Sequence, residues 1–206
     1  MKSVVVIDTK VSNLGSLCSA IRRIGWTPEV CQNPSQITKF GKIILPGVGS
    51  FSTAMSQLKT SGFLDVLTDK NFLLSNQLLG ICLGFQLLFS DSEEGGLSSG
   101  LNLVEGHITK LKFSEKIKVP HVGFNNISTL YSDTILNEIQ DNTDFYFLHS
   151  YALHSSENAI AWTEYGGSRF VSAINFQNRI FGVQFHPEKS KYPGLKLIKN
   201  FLELGY

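Results

Sequence analysis

Three short apolar runs, Val4-Val5-Val6-Ile7, Ile43-Ile44-Leu45 and Leu78-Leu79-Gly80-Ile81, are separated by stretches of helical periodicity, and this alternation constrains the chain more than any other feature. Each run is shorter than an ordinary buried helix and bounded by turn formers, so each reads as a strand covered on both faces. Such strands alternating with helices imply βαβ units and a parallel sheet. Leu14, Leu17, Cys18 and Ile21 place a helix over residues 13–24, with Gly25 as its stop, and a second strand follows over 28–31. Ala54 and Leu58, then Phe63, Leu64 and Leu67, mark further helical segments, and residues 85–89 another. From Gly106 onward the pattern changes to period two, over 107–113, 144–148, 159–163 and 170–176, the last facing 179–185 across Gln177-Asn178. The second half is therefore expected to be antiparallel. Leu195, Leu197, Ile198, Phe201 and Leu202 make 194–204 an amphipathic closing helix that covers a sheet face. The Ser/Gly-rich stretch 91–100 reads as a surface loop. With no linker, repeat or low-complexity tract in 206 residues, one α/β domain spanning 1–206 is expected.

Composition narrows the function. Hydrophobic residues at 42% supply a core, and a net charge of +1 without any basic block gives nucleic acid no electrostatic foothold. No stretch approaches the roughly 18 apolar residues of a membrane span, and the N-terminal apolar run is too short for a signal peptide. A cytoplasmic protein is expected. Cys18, Cys31 and Cys82 are too few for a disulfide framework and form no CxxC. The five histidines show no metal-ligand spacing, and the glycine-rich segments lack both GxGxxG and the P-loop lysine, so neither a metal nor a cofactor is expected.

The chemistry centres on Gly80-Ile81-Cys82-Leu83-Gly84, between an expected strand and an expected helix. This is the form of a nucleophile elbow with cysteine in place of serine: a sharp turn exposes the nucleophile, small neighbours permit the backbone, and a helix N-terminus favours thiolate. A buried cysteine beside two packing glycines satisfies the same pentapeptide equally well. Gly182-Val183-Gln184-Phe185-His186-Pro187-Glu188 delivers a histidine at a strand end and a carboxylate two residues on, the identities a cysteine needs in a base and in the group that orients it. An ordinary strand end with a solvated glutamate is the competing reading. Pro46-Gly47-Val48-Gly49 follows the strand at 42–45, and its backbone N–H groups, with that of Leu83, could aim at a developing oxyanion; a tight turn is the plainer alternative.

Taken with Ser92-Glu93-Glu94-Gly95, Lys118-Val119-Pro120-His121-Val122-Gly123 and Tyr146-Phe147-Leu148-His149-Ser150-Tyr151, these motifs run in order through nearly the whole chain. In that order the sequence resembles the class I glutamine amidotransferases, with their flavodoxin-like fold, and within them the glutaminase subunits of imidazole glycerol phosphate synthases. The resemblance implies hydrolysis of glutamine through a thioester on Cys82, with His186 as base then acid and Glu188 orienting it. It implies an oxyanion hole at Val48 and Leu83, and glutamine held by Gly47, Gly49, Gln86, Glu94 and the His149-Ser150-Tyr151 segment. It further implies a partner, a (β/α)8-barrel cyclase subunit that receives the ammonia for histidine biosynthesis in a heterodimer, contacted through Asn13, Phe124 and Lys189. With the chain ending at Tyr206, that acceptor chemistry is expected on another polypeptide, and low glutaminase activity is expected of the isolated chain.

Two segments depart from the family pattern. Asp8-Thr9-Lys10-Val11-Ser12-Asn13 stands where Asp-Tyr-Gly-x-Gly-Asn is usual, and Phe124 stands where tryptophan is usual. The resemblance implies that both face the partner, which leaves open a paralogous amidotransferase that supplies ammonia for amidation of a surface-polysaccharide sugar. A γ-glutamyl peptidase and a catalytically silent subunit are weaker alternatives, disfavoured by Lys189-Ser190 after the His-Pro-Glu and by the complete Cys82, His186, Glu188 set.

Overall fold

The computed structural model describes residues 2–9, 14–39, 41–111, 119–129 and 134–205. Its centre is a nine-stranded sheet whose strands, from one edge to the other, fall into two groups. The first five are Thr27–Cys31 (β2), Ser3–Ile7 (β1), Lys42–Gly47 (β3), Gln77–Cys82 (β4) and Ile180–Val183 (β13), and every pairing among them is parallel. The remaining four, Ser168–Phe176 (β12), Ala159–Tyr165 (β11), His121–Thr129 (β8) and Thr143–His149 (β9), pair antiparallel. Four of the parallel strands come from the first half as expected, but β13 lies in the half expected to be antiparallel: it pairs antiparallel with β12 and parallel with β4, and so joins the two parts of the sheet.

Helices cover both faces. Side chains alternate across a strand, so Val4 and Val6 of β1 join Leu17 and Ile21 of Leu14–Arg23 (α1) and Leu197, Ile198 and Phe201 of Lys191–Glu203 (α6) on one face. On the other, Val5 and Ile7 meet Phe51, Ala54 and Leu58 of Phe51–Thr60 (α2), Phe63 and Leu67 of Phe63–Leu67 (α3), Phe72 of Lys70–Ser75 (α4), and Phe85 of Leu83–Leu87 (α5). All are buried, which makes these two layers the core. At the base of the sheet the buried Lys42 donates to the Phe201 and Leu204 carbonyls at 2.9 and 2.5 Å, meeting backbone acceptors at the end of α6.

Several sequence expectations are corrected. Residues 91–100 are not simply a loop: Asp91–Ser92 (β5) and Ser98–Ser99 (β6) pair antiparallel, and with His107–Lys110 (β7) and Tyr151–Leu153 (β10) they form a second sheet, β10-β7-β5-β6. The strand expected over 107–113 ends at Lys110, and 112–118 lie outside the described residues. The nine-residue β8 and the short α4 were not expected at all, and the helix after the elbow begins at Leu83 rather than Phe85.

Candidate active site

Cys82 ends β4 and holds φ 55°, ψ −108°, a left-handed backbone conformation unusual for any residue but glycine. Such a residue costs on the order of 1–3 kcal/mol and persists only where its surroundings fix it. The surroundings here are glycines. A Cβ on Gly84 would lie 1.8 Å from the Leu45 carbonyl oxygen, and one on Gly80 would lie 2.7 Å from the Gly84 carbonyl oxygen. The turn from β4 into α5 therefore packs backbone on backbone, as a nucleophile elbow requires.

The cysteine sits at the carboxyl edge of the parallel strands, where open α/β sheets place their ligands. It lines a pocket of about 250 Å³ together with Val48, Gly49, Leu83, Gln86, Glu94, Pro120, Leu148, His149, Ser150, Tyr151 and His186. Nearly every site residue expected from the sequence is thus brought together. Gly47 is not in that wall: it lies in register with Cys82, where a Cβ would meet Leu83 at 2.9 Å, so it brings β3 close to the elbow and leads into Val48. Asn13 lies outside the described residues.

His186 leaves the end of β13 and its Nδ1 is 2.8 Å from Glu188 Oε1, both side chains buried. Burial opposes a charge on the imidazole, but the negative Cys82 sulfur and then the Glu188 carboxylate override it and raise the His186 pKa to about 10. Nε2 has no protein hydrogen-bond partner among the described residues, so it is placed to exchange a proton. The ring is held from behind by its own backbone: His186 N–H donates to the Tyr146 carbonyl at 2.8 Å. The buried Ser190 hydroxyl donates to the His186 carbonyl at 2.6 Å and accepts from Tyr146 N–H at 2.9 Å. The sulfur in turn lies 3.6 Å from the Leu148 carbonyl.

The other polar groups are oriented too. Glu94 Oε2 accepts from Phe51 N–H at 2.7 Å, at the start of α2, which holds a carboxylate in the pocket wall. Gln86 donates to the Tyr151 carbonyl at 2.8 Å and to Gln184 Oε1 at 3.0 Å, while Gln184 Nε2 reaches the Cys82 sulfur at 3.9 Å. Gln184 and Ser190 carried no role in the sequence reading. The only signal in the sequence was a glutamine, Gln184, within an otherwise apolar strand end, and the structure shows it fully buried.

Phe124, 50% exposed, and Lys189 lie toward one side of this site. Phe124 packs edge-on against Tyr146, over which Lys189 Nζ sits at 5.5 Å, and Lys191 Nζ lies 5.3 Å from the Phe124 ring. Val122 and Leu148, opposite each other on β8 and β9, are also exposed, at 53% and 39%.

A cysteine on a strained strand-to-helix turn, sharing a pocket with a histidine that is paired from behind to a buried glutamate, is the equipment of a nucleophilic α/β enzyme that cleaves acyl compounds. The comparisons with known proteins give the family. The description "Glutamine amidotransferase class-I" matches residues 5–204, and the chain belongs to that family. It is 38% identical to "Imidazole glycerol phosphate synthase subunit HisH 1" of Campylobacter jejuni, over 98% of this chain and 100% of that protein. It is 43% identical to "Imidazole glycerol phosphate synthase subunit HisH" of Moorella thermoacetica, over 99% and 96%. In fold it resembles a crystal structure of a glutamine amidotransferase, with TM-score 0.74, 17% identity and 97% of each chain covered. It likewise resembles the structure of PurLQS from Thermotoga maritima, with TM-score 0.66, 16% identity and 97% of each chain covered.

Proposed function

We propose that this chain is the glutaminase subunit of an imidazole glycerol phosphate synthase, a single glutaminase domain acting in the cytoplasm. It hydrolyses glutamine and passes the ammonia to a separate (β/α)8-barrel cyclase subunit for histidine biosynthesis. The observation that carries this reading is Leu148, which lines the Cys82 pocket and is also part of an uncovered apolar face with Val122 and Phe124. An active site bordered by such a face suits an enzyme whose product goes to a bound partner rather than to solvent.

Cys82, His186 and Glu188 form the triad. The thiolate attacks the glutamine side-chain carbonyl, and Val48 and Leu83 offer backbone N–H groups to the oxyanion. His186 gives its proton to the departing nitrogen, which leaves as ammonia, and a γ-glutamyl thioester remains on Cys82. His186 then takes a proton from water, the hydroxyl adds to the thioester, and glutamate leaves as the sulfur is regenerated. Glu188 keeps the ring in one orientation. Glu94 faces the substrate ammonium, Gln86 and the His149-Ser150-Tyr151 segment line its body, and Gly47 and Gly49 shape the strand beside it.

Phe124 and Lys189 lie on the surface that meets the cyclase, and the family resemblance assigns Asn13 to the same contact. The test is to mix the chain with the cyclase subunit from the same source and measure glutamine hydrolysis with and without the cyclase's nucleotide ligand. Strong ligand-dependent stimulation is expected. Failure to bind or respond, with Cys82 still reactive to alkylation, overturns the assignment to histidine biosynthesis and leaves a paralogous synthase, such as one amidating a polysaccharide sugar.

A further inference from the structure

The pocket wall at Tyr151 is held by a chain of hydrogen bonds that continues well behind it. The Tyr151 carbonyl accepts from Gln86 Nε2 at 2.8 Å and lies 2.9 Å from His149 Nδ1. His149 Nε2 lies 3.2 Å from His121 Nδ1, and His121 Nε2 lies 3.4 Å from Asn125 Nδ2, which also donates to the Glu164 carbonyl at 3.0 Å. Both rings are buried. His121 is stacked on Tyr165 and Phe147, with ring centroids 3.9 and 4.8 Å apart, and has Phe170 at its edge.

These contacts permit one proton arrangement for neutral rings. A carbonyl oxygen cannot donate, so His149 carries its proton on Nδ1 and presents a lone pair at Nε2. The nitrogen facing that lone pair must donate, so His121 carries its proton on Nδ1 as well. His121 Nε2 is then an acceptor, and the group opposite it is an amide N–H. Donation therefore runs in one direction, from Asn125 through His121 and His149 to the Tyr151 carbonyl. Burial favours the neutral rings this order requires, holding His121 down at about 4 and His149 at about 3.

His121 is not among the residues lining the pocket. We propose that it is a positioning residue for glutamine binding: by donating to His149 it fixes that ring's orientation, and with it the Tyr151 carbonyl and the wall between β9 and β10. A neutral His149 without this donor keeps a buried, unpaired Nε2 and a ring no longer held from behind. The same wall is anchored at its other end by Leu111 N–H, which donates to the Ser150 carbonyl at 2.9 Å. Tyr151 makes no direct hydrogen bond to Cys82 or His186 and reaches the sulfur only through Gln86 and Gln184, so its displacement is expected to change the grip on glutamine more than the reacting pair.

The proposal rests on the glutaminase reading, and wild-type turnover in the presence of the cyclase partner is the control for that reading. If the wild type is inactive, the glutaminase reading fails; if it is active, the variants test His121. In the complex, His121→Leu removes the donor while keeping bulk, and His121→Asn restores an N–H near the Nδ1 position. For H121L, KM for glutamine is expected to rise about tenfold with kcat changed by less than about threefold, and the rate of Cys82 alkylation by iodoacetamide to match wild type. H121N is expected to recover most of the KM. Nitrogen-15 spectra of the wild type are expected to show both rings protonated on Nδ1. An unchanged KM in H121L, a KM defect that H121N does not relieve, loss of kcat and alkylation in step with KM, or a His149 protonated on Nε2 would each overturn it.

Discussion

Gly84→Ala is the sharpest test of the elbow. The added methyl would start 1.8 Å from the Leu45 carbonyl oxygen and 2.8 Å from its carbon, both backbone atoms of β3, and no side-chain rotation relieves it. Cβ atoms do not approach backbone closer than about 3.0 Å, so β3 and α5 must separate by more than an ångström. Two losses follow. Overpacking of this kind costs about 1–3 kcal/mol and sometimes more. In addition β3 leads directly into Val48 and Gly49, so the strand that moves is the one that shapes the wall beside the sulfur. A misplacement of about 1 Å costs on the order of 10²-fold in rate. Urea unfolding should therefore show a lowered midpoint with unchanged slope, and glutamine hydrolysis under stimulated conditions should fall by about 10²-fold at temperatures where the variant is still folded. Gly41→Ala is the control, because nothing lies within 4 Å of its added methyl, and its stability should stay within about 0.5 kcal/mol of wild type. A G84A protein with wild-type stability and turnover would refute the account of the elbow as backbone packed on backbone.

Four further outcomes are expected. Ser190→Ala strips a buried hydroxyl from the His186 carbonyl and the Tyr146 N–H; thermal unfolding should show a loss of about 1–3 kcal/mol, and an unperturbed protein would mean the hydroxyl does not hold that loop. His186, raised to about 10, should titrate by NMR well above the ordinary imidazole, at about 6.5, and Cys82→Ala should lower its midpoint, because the strongest charge sustaining the imidazolium is the sulfur's; an unmoved midpoint would show that the sulfur is not the cause. His121 is depressed to about 4, so the unfolded chain binds the extra proton between pH 6.5 and 4 and stability falls as pH drops through that window, by on the order of 3 kcal/mol for this group; denaturation of H121N across the same range should show a shallower decline, and an identical one would place the buried base elsewhere. Phe124→Glu puts a charge on the apolar face and should weaken binding of the cyclase more than tenfold by calorimetry while leaving iodoacetamide alkylation of Cys82 unchanged; undiminished binding would move the interface off β8.

What could be read from the sequence and what could not divides along physical lines. The central parallel strands were legible because strands covered on both faces must be apolar throughout, as Val4–Ile7 and Leu78–Ile81 nearly are, whereas the parallel pairing of β13 with β4 was not, because its segment sits among the period-two strands. The elbow was legible because close backbone approach leaves glycine as its mark at 80 and 84. The strand β8 was not, because its pattern is inverted: His121 points inward while Val122 and Phe124 point out, so a rule that puts apolar residues inside misses it. Residues 91–100 read as a loop because two-residue strands are too short to show any period. The parts played by Ser190, Gln184 and His121 lie in whom they hydrogen-bond. Of those partners, Tyr146, Gln86 and His149 are 44, 98 and 28 residues away in the chain, and local pattern carries no trace of them.

The course of β9 has one more consequence. Two successive outward-tending residues of this strand, Tyr146 and Leu148, give their carbonyls to His186 N–H and to the Cys82 sulfur. Nucleophile and base come from β4 and from the turn after β13, yet both lean on the same ruler, laid across them from the far edge of the sheet. The two carbonyls stand with one residue between them on a strand whose register is fixed by seven pairs with β8. A change in the course of β9 between Tyr146 and Leu148 is therefore felt at base and nucleophile together, although neither residue belongs to that strand.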